Sequence, residues 1–367
     1  MQNPGKERRD TENYEKYWKI TLAFTDINGE KFLGTLKIIK EFIDQNRDKL
    51  QRTESQELYE ELQERVNEFN PMWPTSIRKS INQYVKIGFI NFNGRGYHQD
   101  LEKFLNANTE NVRKIIFSKI IYENSNFQSS WTNADSKKGH IKFLIKTLEK
   151  IKRLCKEDII ALMRVDITKF QKGFLTRQEL DEFVEEAEDI DFVNRKYNQL
   201  SHFRSILARL DDLAFVNYHP HGQCLHFKEY ADEQFPDRWK HEGRDPYLQG
   251  RYRSLLIQEV KEKCGSIQCM VSANAGNCIA SHIKPFSRCT KDEAYDVDNG
   301  IYISEEIDAH FDKGRISFND NGTIIFSKNF PDDQKNNFKD FSINPTFLNE
   351  MRLKYLDFHR KSVMGNE

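Results

Sequence analysis

The last third of the chain contains Ala280-Ser281-His282-Ile283-Lys284-Pro285, then Asn299-Gly300-Ile301-Tyr302-Ile303, then His310-Phe311-Asp312-Lys313-Gly314. His282 ends a short apolar run just before a proline, which reads as the end of a strand. Asn299-Gly300 is a turn signal ahead of a second apolar run. His310 falls on a short helical segment that stops by Gly314. A histidine, an asparagine and a histidine thus fall on a strand, a turn and a helix of one compact β-β-α unit. Such a set suits metal-dependent hydrolysis. One imidazole can remove a proton from water. The asparagine carbonyl can hold that imidazole in its useful tautomer. The other histidine can ligate a divalent cation that polarises a phosphoryl oxygen and stabilises the leaving oxygen.

These three ordered motifs resemble those of the HNH (ββα-metal) endonucleases, in particular a restriction-endonuclease-like branch. That branch reads Ala-x-His-Ile-x-Pro, then Asn-Gly-Ile/Leu-x-Leu, then His-x-x-Phe-Asp-x-Gly or a near variant. The segment Tyr247-Leu248-Gln249-Gly250-Arg251-Tyr252-Arg253 also looks like the branch's usual leader, so the resemblance runs from about Asp245 to Ser327. It implies hydrolysis of DNA phosphodiesters with Mg²⁺ or Mn²⁺. It implies that His282 is the general base, that Asn299 orients it, and that His310 is a metal ligand or close to one. One position departs from the pattern. Many relatives carry Asp or His just before the base histidine as a metal ligand, and here that residue is Ser281. A hydroxyl is a poor ligand beside a carboxylate but can hold a metal-bound water. Asp312, Asp298 and Asp308 are candidates for the missing acid, and Asp312 belongs to the branch's own motif.

Around this core, Arg251 and Arg253 are candidates for phosphate contact. The six cysteines are Cys155, Cys224, Cys264, Cys269, Cys278 and Cys289. Without a secretion signal they are expected reduced rather than paired. Cys264, Cys269, Cys278 and Cys289 could build a structural Zn²⁺ site, but they lack the Cys-x-x-Cys knuckles that favour tetrahedral closure. Buried, reduced cysteine is the expectation.

Further upstream the chain carries a weak internal repeat. Residues Arg78 to Asn91 align with Arg204 to Asn217, each ending in a small residue, Phe, a β-branched residue and Asn. A turn follows each copy, Asn93-Gly94-Arg95-Gly96 in the first and His219-Pro220-His221-Gly222 in the second. The pattern predicts a helix leading into a β-hairpin, with Gly88 and Ala214 at the tight corner. Helical stretches lie upstream, among them Glu54–Phe69, Glu157–Asp166 and Thr176–Ala187, the last opening with a capping box. Helices followed by a two-stranded wing suggest two winged-helix modules. Arg78, Lys79, Arg95, Arg204 and Arg209 are their candidate DNA contacts. Tyr17 to Phe24 reads as strand, and the charged residues before it as frayed.

Lys+Arg 56 against Asp+Glu 57 gives a net charge of −1, which excludes a uniformly basic nucleic-acid binder. DNA contact must therefore come from local patches. No apolar run is long enough to span a membrane, and Met1 to Asp10 lacks the apolar core of a signal peptide, so a cytoplasmic location is expected. The expected fold is α+β, with winged-helix-like modules at 1–125 and 126–235 and an HNH nuclease domain at 236–367. The expected function is a site-specific type II restriction endonuclease acting on double-stranded DNA. One nuclease module per chain favours a homodimer, and a cognate methyltransferase would accompany it. A modification-dependent restriction enzyme for methylcytosine is the near alternative. A DNA-binding regulator with an inactive HNH remnant is the distant one.

Overall fold

The computed structural model describes residues 17–52, 54–134, 138–218, 222–227, 244–290 and 292–364. The expectations for the first dozen residues and for His219-Pro220-His221 lie outside them. The chain divides into two compact units, Met1–Gln234 and Phe235–Glu367. Among the described residues no helix is long and apolar enough to cross a membrane.

The first unit contains α1 (Glu30–Gln45), α2 (Arg47–Arg52), α3 (Gln56–Phe69), α4 (Pro74–Lys86), α5 (Leu101–Leu105), α6 (Glu110–Asn124), α7 (His140–Ile151), α8 (Lys156–Leu162), α9 (Arg177–Asp189), α10 (Phe192–Arg195) and α11 (Tyr197–Leu207). The strands β1 (Leu213–Tyr218) and β2 (Gly222–Phe227) form an antiparallel hairpin. Helix α1 buries Phe32, Leu36, Ile39, Phe42 and Ile43, a three-and-four spacing that gives it one core face. Helix α3 starts at Ser55, whose hydroxyl accepts the Leu58 amide. Thr176 and Glu179 close the capping box of α9. Helix α4 begins at Pro74, which fits the first helical position, where no amide donor is needed.

Several expectations fail here for identifiable reasons. Residues 17 to 24 form no strand and pair with none among the described residues. Their donors go to scattered acceptors instead: Trp18 N–H to Met163 O, Lys19 N–H to Phe127 O, Ile20 N–H to the Gln199 side chain. Trp18 then anchors the unit's core against Phe127, His140 and Phe203. The two repeat copies also diverge. The second gives helix α11 and the β1–β2 hairpin. The first gives α4 and then only one isolated bridge, Ile90 with Tyr97. Asn93 and Gly94 both take positive φ, 54° and 63°, in the 3₁₀ turn Phe92–Gly94 that lies between the bridged residues. Gly88 does sit at the corner, at φ 83°, and a Cβ there would lie 2.5 Å from Asn124 Cβ.

Cys155 and Cys224, expected reduced, form a disulfide. Leu154 and Leu225 exchange both main-chain hydrogen bonds, at 3.1 and 2.7 Å. The adjacent pair, Cys155 and Cys224, therefore occupies a non-hydrogen-bonded position, where side chains approach most closely. Their Cα atoms are 4.1 Å apart.

The second unit opens with α12 (Pro246–Cys264), N-capped by Asp245. Strands β3 (Cys278–His282) and β4 (Gly300–Ser304) pair antiparallel, with His282 opposite Gly300. Helix α13 (Glu305–Phe311) follows at once, capped by Ser304, and completes the β-β-α unit. A small hairpin of β5 (Ile316–Phe318) and β6 (Ile324–Phe326) comes next, then α14 (Asp332–Phe338) and α15 (Glu350–Ser362). Arg352 of α15 is fully buried and forms two bonds to Glu259 of α12, at 3.0 and 2.8 Å. It also donates to the carbonyls of Gly300 and Val297, at 3.0 and 3.1 Å. The buried cation is thus fully paired, and it fixes the approach to β4 from two helices.

Candidate active site

His282 ends β3 with 9% of its surface exposed. Its Nε2 donates to the Ala294 carbonyl at 2.8 Å. That bond places the proton on Nε2 and leaves Nδ1 with the lone pair. The ring of Tyr252 stacks on the imidazole at 4.6 Å and 12°, and Phe286 meets it edge-on at 5.7 Å. Burial pushes the His282 imidazole down to about 4, and the Arg244 guanidinium adds to this while the Ala294 bond opposes it. Such an imidazole is neutral across the physiological range and ready to accept a proton.

Asn299 does not hold the imidazole by its own carbonyl. Its Oδ1 accepts the Lys284 amide at 2.7 Å. Its Nδ2 faces the Glu293 carbonyl at 3.0 Å, the Cys289 sulfur at 3.2 Å and the Lys284 carbonyl at 3.3 Å. This fully buried amide folds the loop from Lys284 to Glu293 back on itself. The next residue, Ala294, supplies the carbonyl that fixes His282. Asn299 therefore acts on the imidazole at one remove, through the loop. The ion pair of Lys284 with Glu293, 2.7 Å, closes the same loop from outside.

Ser281 is buried, and its hydroxyl bonds to the carboxyl group of Asp308 on α13. Burial raises the Asp308 carboxyl, and the charges of Asp312 and Glu305 raise it further against the Ser281 bond. The acid that stands beside Ser281 is thus Asp308, while Asp312 is exposed one turn further on. Asp298 is engaged elsewhere, accepting from Asn349 at 2.8 Å. His310 lies two residues beyond Asp308 on the same helix. Its ring lies against Phe330 and Phe338, both at 5.2 Å, with Nδ1 buried and without a hydrogen-bond partner. Burial lowers its pKa, and Arg315 adds to that.

The donors beside His282 are oxygen atoms: the Ser281 hydroxyl and the Asp308 carboxylate, with Asp312 nearby. Mg²⁺ takes such hard ligands and needs only one or two carboxylates, keeping the rest of its shell as water and phosphate. Among the described residues no group of three His, Cys, Asp or Glu side chains could hold a metal. Two such oxygen donors are of the kind Mg²⁺ takes and fall short of the three protein ligands that a catalytic Zn²⁺ wants. The four remaining cysteines are free. The Cys278 thiol bonds to the Cys269 sulfur, and together with the Ser272 and Val271 amides it lowers the Cys269 pKa.

The expected DNA contacts fare unequally. Arg78 and Lys79 are exposed on α4. Arg95 is exposed but reaches Glu54 at 3.5 Å. Arg204 lies over the Phe215 ring at 4.7 Å, and Arg209 donates to the Thr25 carbonyl at 3.1 Å. Arg251 is buried over the Tyr247 ring, and Arg253 lies over Tyr302. Sequence reasoning missed three participants. Ala294 acts through its main chain, which leaves no residue-type signal. Tyr252 stands only as part of the leader stretch, and Arg244 lies just before it, outside every motif.

No curated protein matches the chain. Residues 266–319 match the family model of the HNH endonucleases, HNH_2, a span that takes in β3, β4, α13 and β5. With its β-β-α unit and its motif residues in place on that span, the chain carries an HNH endonuclease domain.

Proposed function

We propose that the chain is a restriction endonuclease that hydrolyses phosphodiester bonds of double-stranded DNA with His282 as general base. The observation that carries this reading is the His282 imidazole. It is buried and stacked, and its Nε2 is tied to a carbonyl, so Nδ1 is the basic nitrogen. In the reaction Nδ1 takes a proton from the attacking water, and the Ala294 carbonyl stabilises the imidazolium that forms. Asn299 keeps the Lys284–Glu293 loop folded, so that carbonyl stays in place. Ser281 and Asp308 would hold Mg²⁺ or Mn²⁺, which supplies charge neutralisation at the phosphate and the leaving oxygen when bound.

The helix-and-hairpin unit of α11, β1 and β2 supports a winged-helix reading of the second repeat, and the exposed Arg78 and Lys79 support α4 as a second DNA-facing element. One β-β-α unit per chain supports cleavage of both strands by a homodimer. Incubation of supercoiled plasmid with the full chain tests the reading. Nicked and linear products are expected with Mg²⁺ and none with EDTA. Arg78→Ala with Lys79→Ala should weaken DNA binding and flatten its salt dependence by about one unit per lost phosphate contact. No cleavage with Mg²⁺ or Mn²⁺ on any plasmid, methylated or not, would overturn the nuclease reading.

A further inference from the structure

Tyr252 reaches the site from α12, outside the matched span, and touches it twice. Its ring lies flat on the His282 imidazole, 4.6 Å away and inclined by 12°. Its hydroxyl, in the core, shares its proton between the Ser281 carbonyl at 3.0 Å and the Asn299 carbonyl at 3.2 Å. Ser281 precedes His282 on β3, and Asn299 precedes Gly300, which pairs with His282. One side chain thus meets both the imidazole and the two strand ends beneath it. Gly300 makes room for this: a Cβ there would stand 2.6 Å from the Tyr252 hydroxyl oxygen and 2.7 Å from Leu256.

We propose that Tyr252 is a positioning residue for His282, its ring setting the plane of the imidazole and its hydroxyl holding the strand ends that carry it. The inference rests on the reading of His282 as general base. The Ala294 bond alone leaves the imidazole free to swing about the Nε2–oxygen line. A flat ring at stacking distance on one face and Phe286 edge-on to the ring remove that freedom. A base held in plane meets the attacking water already aligned, and misplacement by about 1 Å can cost roughly 10²-fold in rate. The two contacts are separable, because phenylalanine keeps the ring and loses the hydroxyl.

The test compares Tyr252→Phe, Tyr252→Leu and Tyr252→Met in the full chain, assayed below the melting temperature of each. Plasmid-cleavage kinetics at saturating Mg²⁺ give kcat and KM. The ring-current shift of the His282 side-chain protons gives the stack directly. Tyr252→Phe should keep that shift and lose only a few-fold in kcat. Leucine and methionine should lose the shift and about 10²-fold in kcat, with KM within twofold. Methionine, unbranched and adaptable, can follow the space the ring leaves and keeps the test open if leucine fails to fold. Wild-type kcat in a folded non-aromatic variant would overturn the proposal, as would a phenylalanine variant as impaired as leucine. His282→Ala serves as the reference. If it cuts normally, the general-base reading itself fails. If it is dead while Tyr252→Met is unimpaired, only the positioning role of Tyr252 fails.

Discussion

The loop side of β3 and the helix α13 treat one residue type in opposite ways. His282 has its Nε2 bonded at 2.8 Å, one face covered by Tyr252 and its supporting loop pinned by a buried asparagine. His310, on α13, packs on two phenylalanines and has a buried nitrogen with no hydrogen-bond partner. A general base needs a fixed tautomer and a fixed plane, and the first region supplies both. The second leaves Nδ1 without a partner, so no hydrogen bond there fixes a tautomer. The motif therefore names two histidines, but their surroundings give only one of them the support that proton transfer requires.

The largest expected effect separates the two regions outright. His282→Ala should lower plasmid cleavage by roughly 10²–10⁴-fold and leave DNA binding in EDTA nearly intact. Undiminished cutting would remove His282 from the mechanism and with it the contrast. Next comes Asn299→Ala. It leaves the Lys284 amide and the facing carbonyls in a dry loop without partners, and the cost is about 3 kcal/mol. Urea unfolding of the variant should show that loss, and cleavage should fall with it because Ala294 moves. A fully stable but inactive Asn299→Ala would mean that the amide touches the reacting groups after all.

Acid should act on the supported region through stability. His282 and His359 are both held near 4 by burial, against about 6.5 in the unfolded chain. The unfolded state takes the proton first, so stability is full above pH 6.5 and is lost as the pH falls toward 4. Between pH 7 and pH 5 each histidine should cost about 2 kcal/mol. Urea midpoints that do not change over that interval would show that these rings are not buried in their neutral form. The smallest effect concerns metal. Asp308→Asn should raise the Mg²⁺ concentration needed for half-maximal cleavage by about tenfold, and His310→Ala by much less. The reverse order would return the metal to His310.

The β-β-α unit was legible because three local signals, strand end, turn and helix stop, come in order with chemistry-bearing residues on each. The surroundings were not. Ala294 contributes a carbonyl, which every residue type carries. The partners of Asn299 lie in a loop whose shape exists only after β3 and β4 pair. Asp308 was one of three acids that spacing could not separate, since only the packing of α13 on β3 brings it to Ser281. In the first unit the repeat was visible, yet its first copy closes only the bridge of Ile90 with Tyr97 around the 3₁₀ turn Phe92–Gly94, a difference in pairing that the aligned residues do not announce. The Cys155–Cys224 disulfide was invisible for a related reason. Its two residues become neighbours only when Leu154 pairs with Leu225.

That same disulfide closes a covalent ring within the first unit, with a sequence separation of 69 residues. Tension applied to the two ends of the chain would bypass the ring. At about 3.3–3.6 Å per extended residue, roughly 230 Å of contour would stay locked until a reductant opened the bond. A single-molecule stretching trace should lengthen by that amount when dithiothreitol is added, and a protease cut within the ring should leave the two fragments tethered.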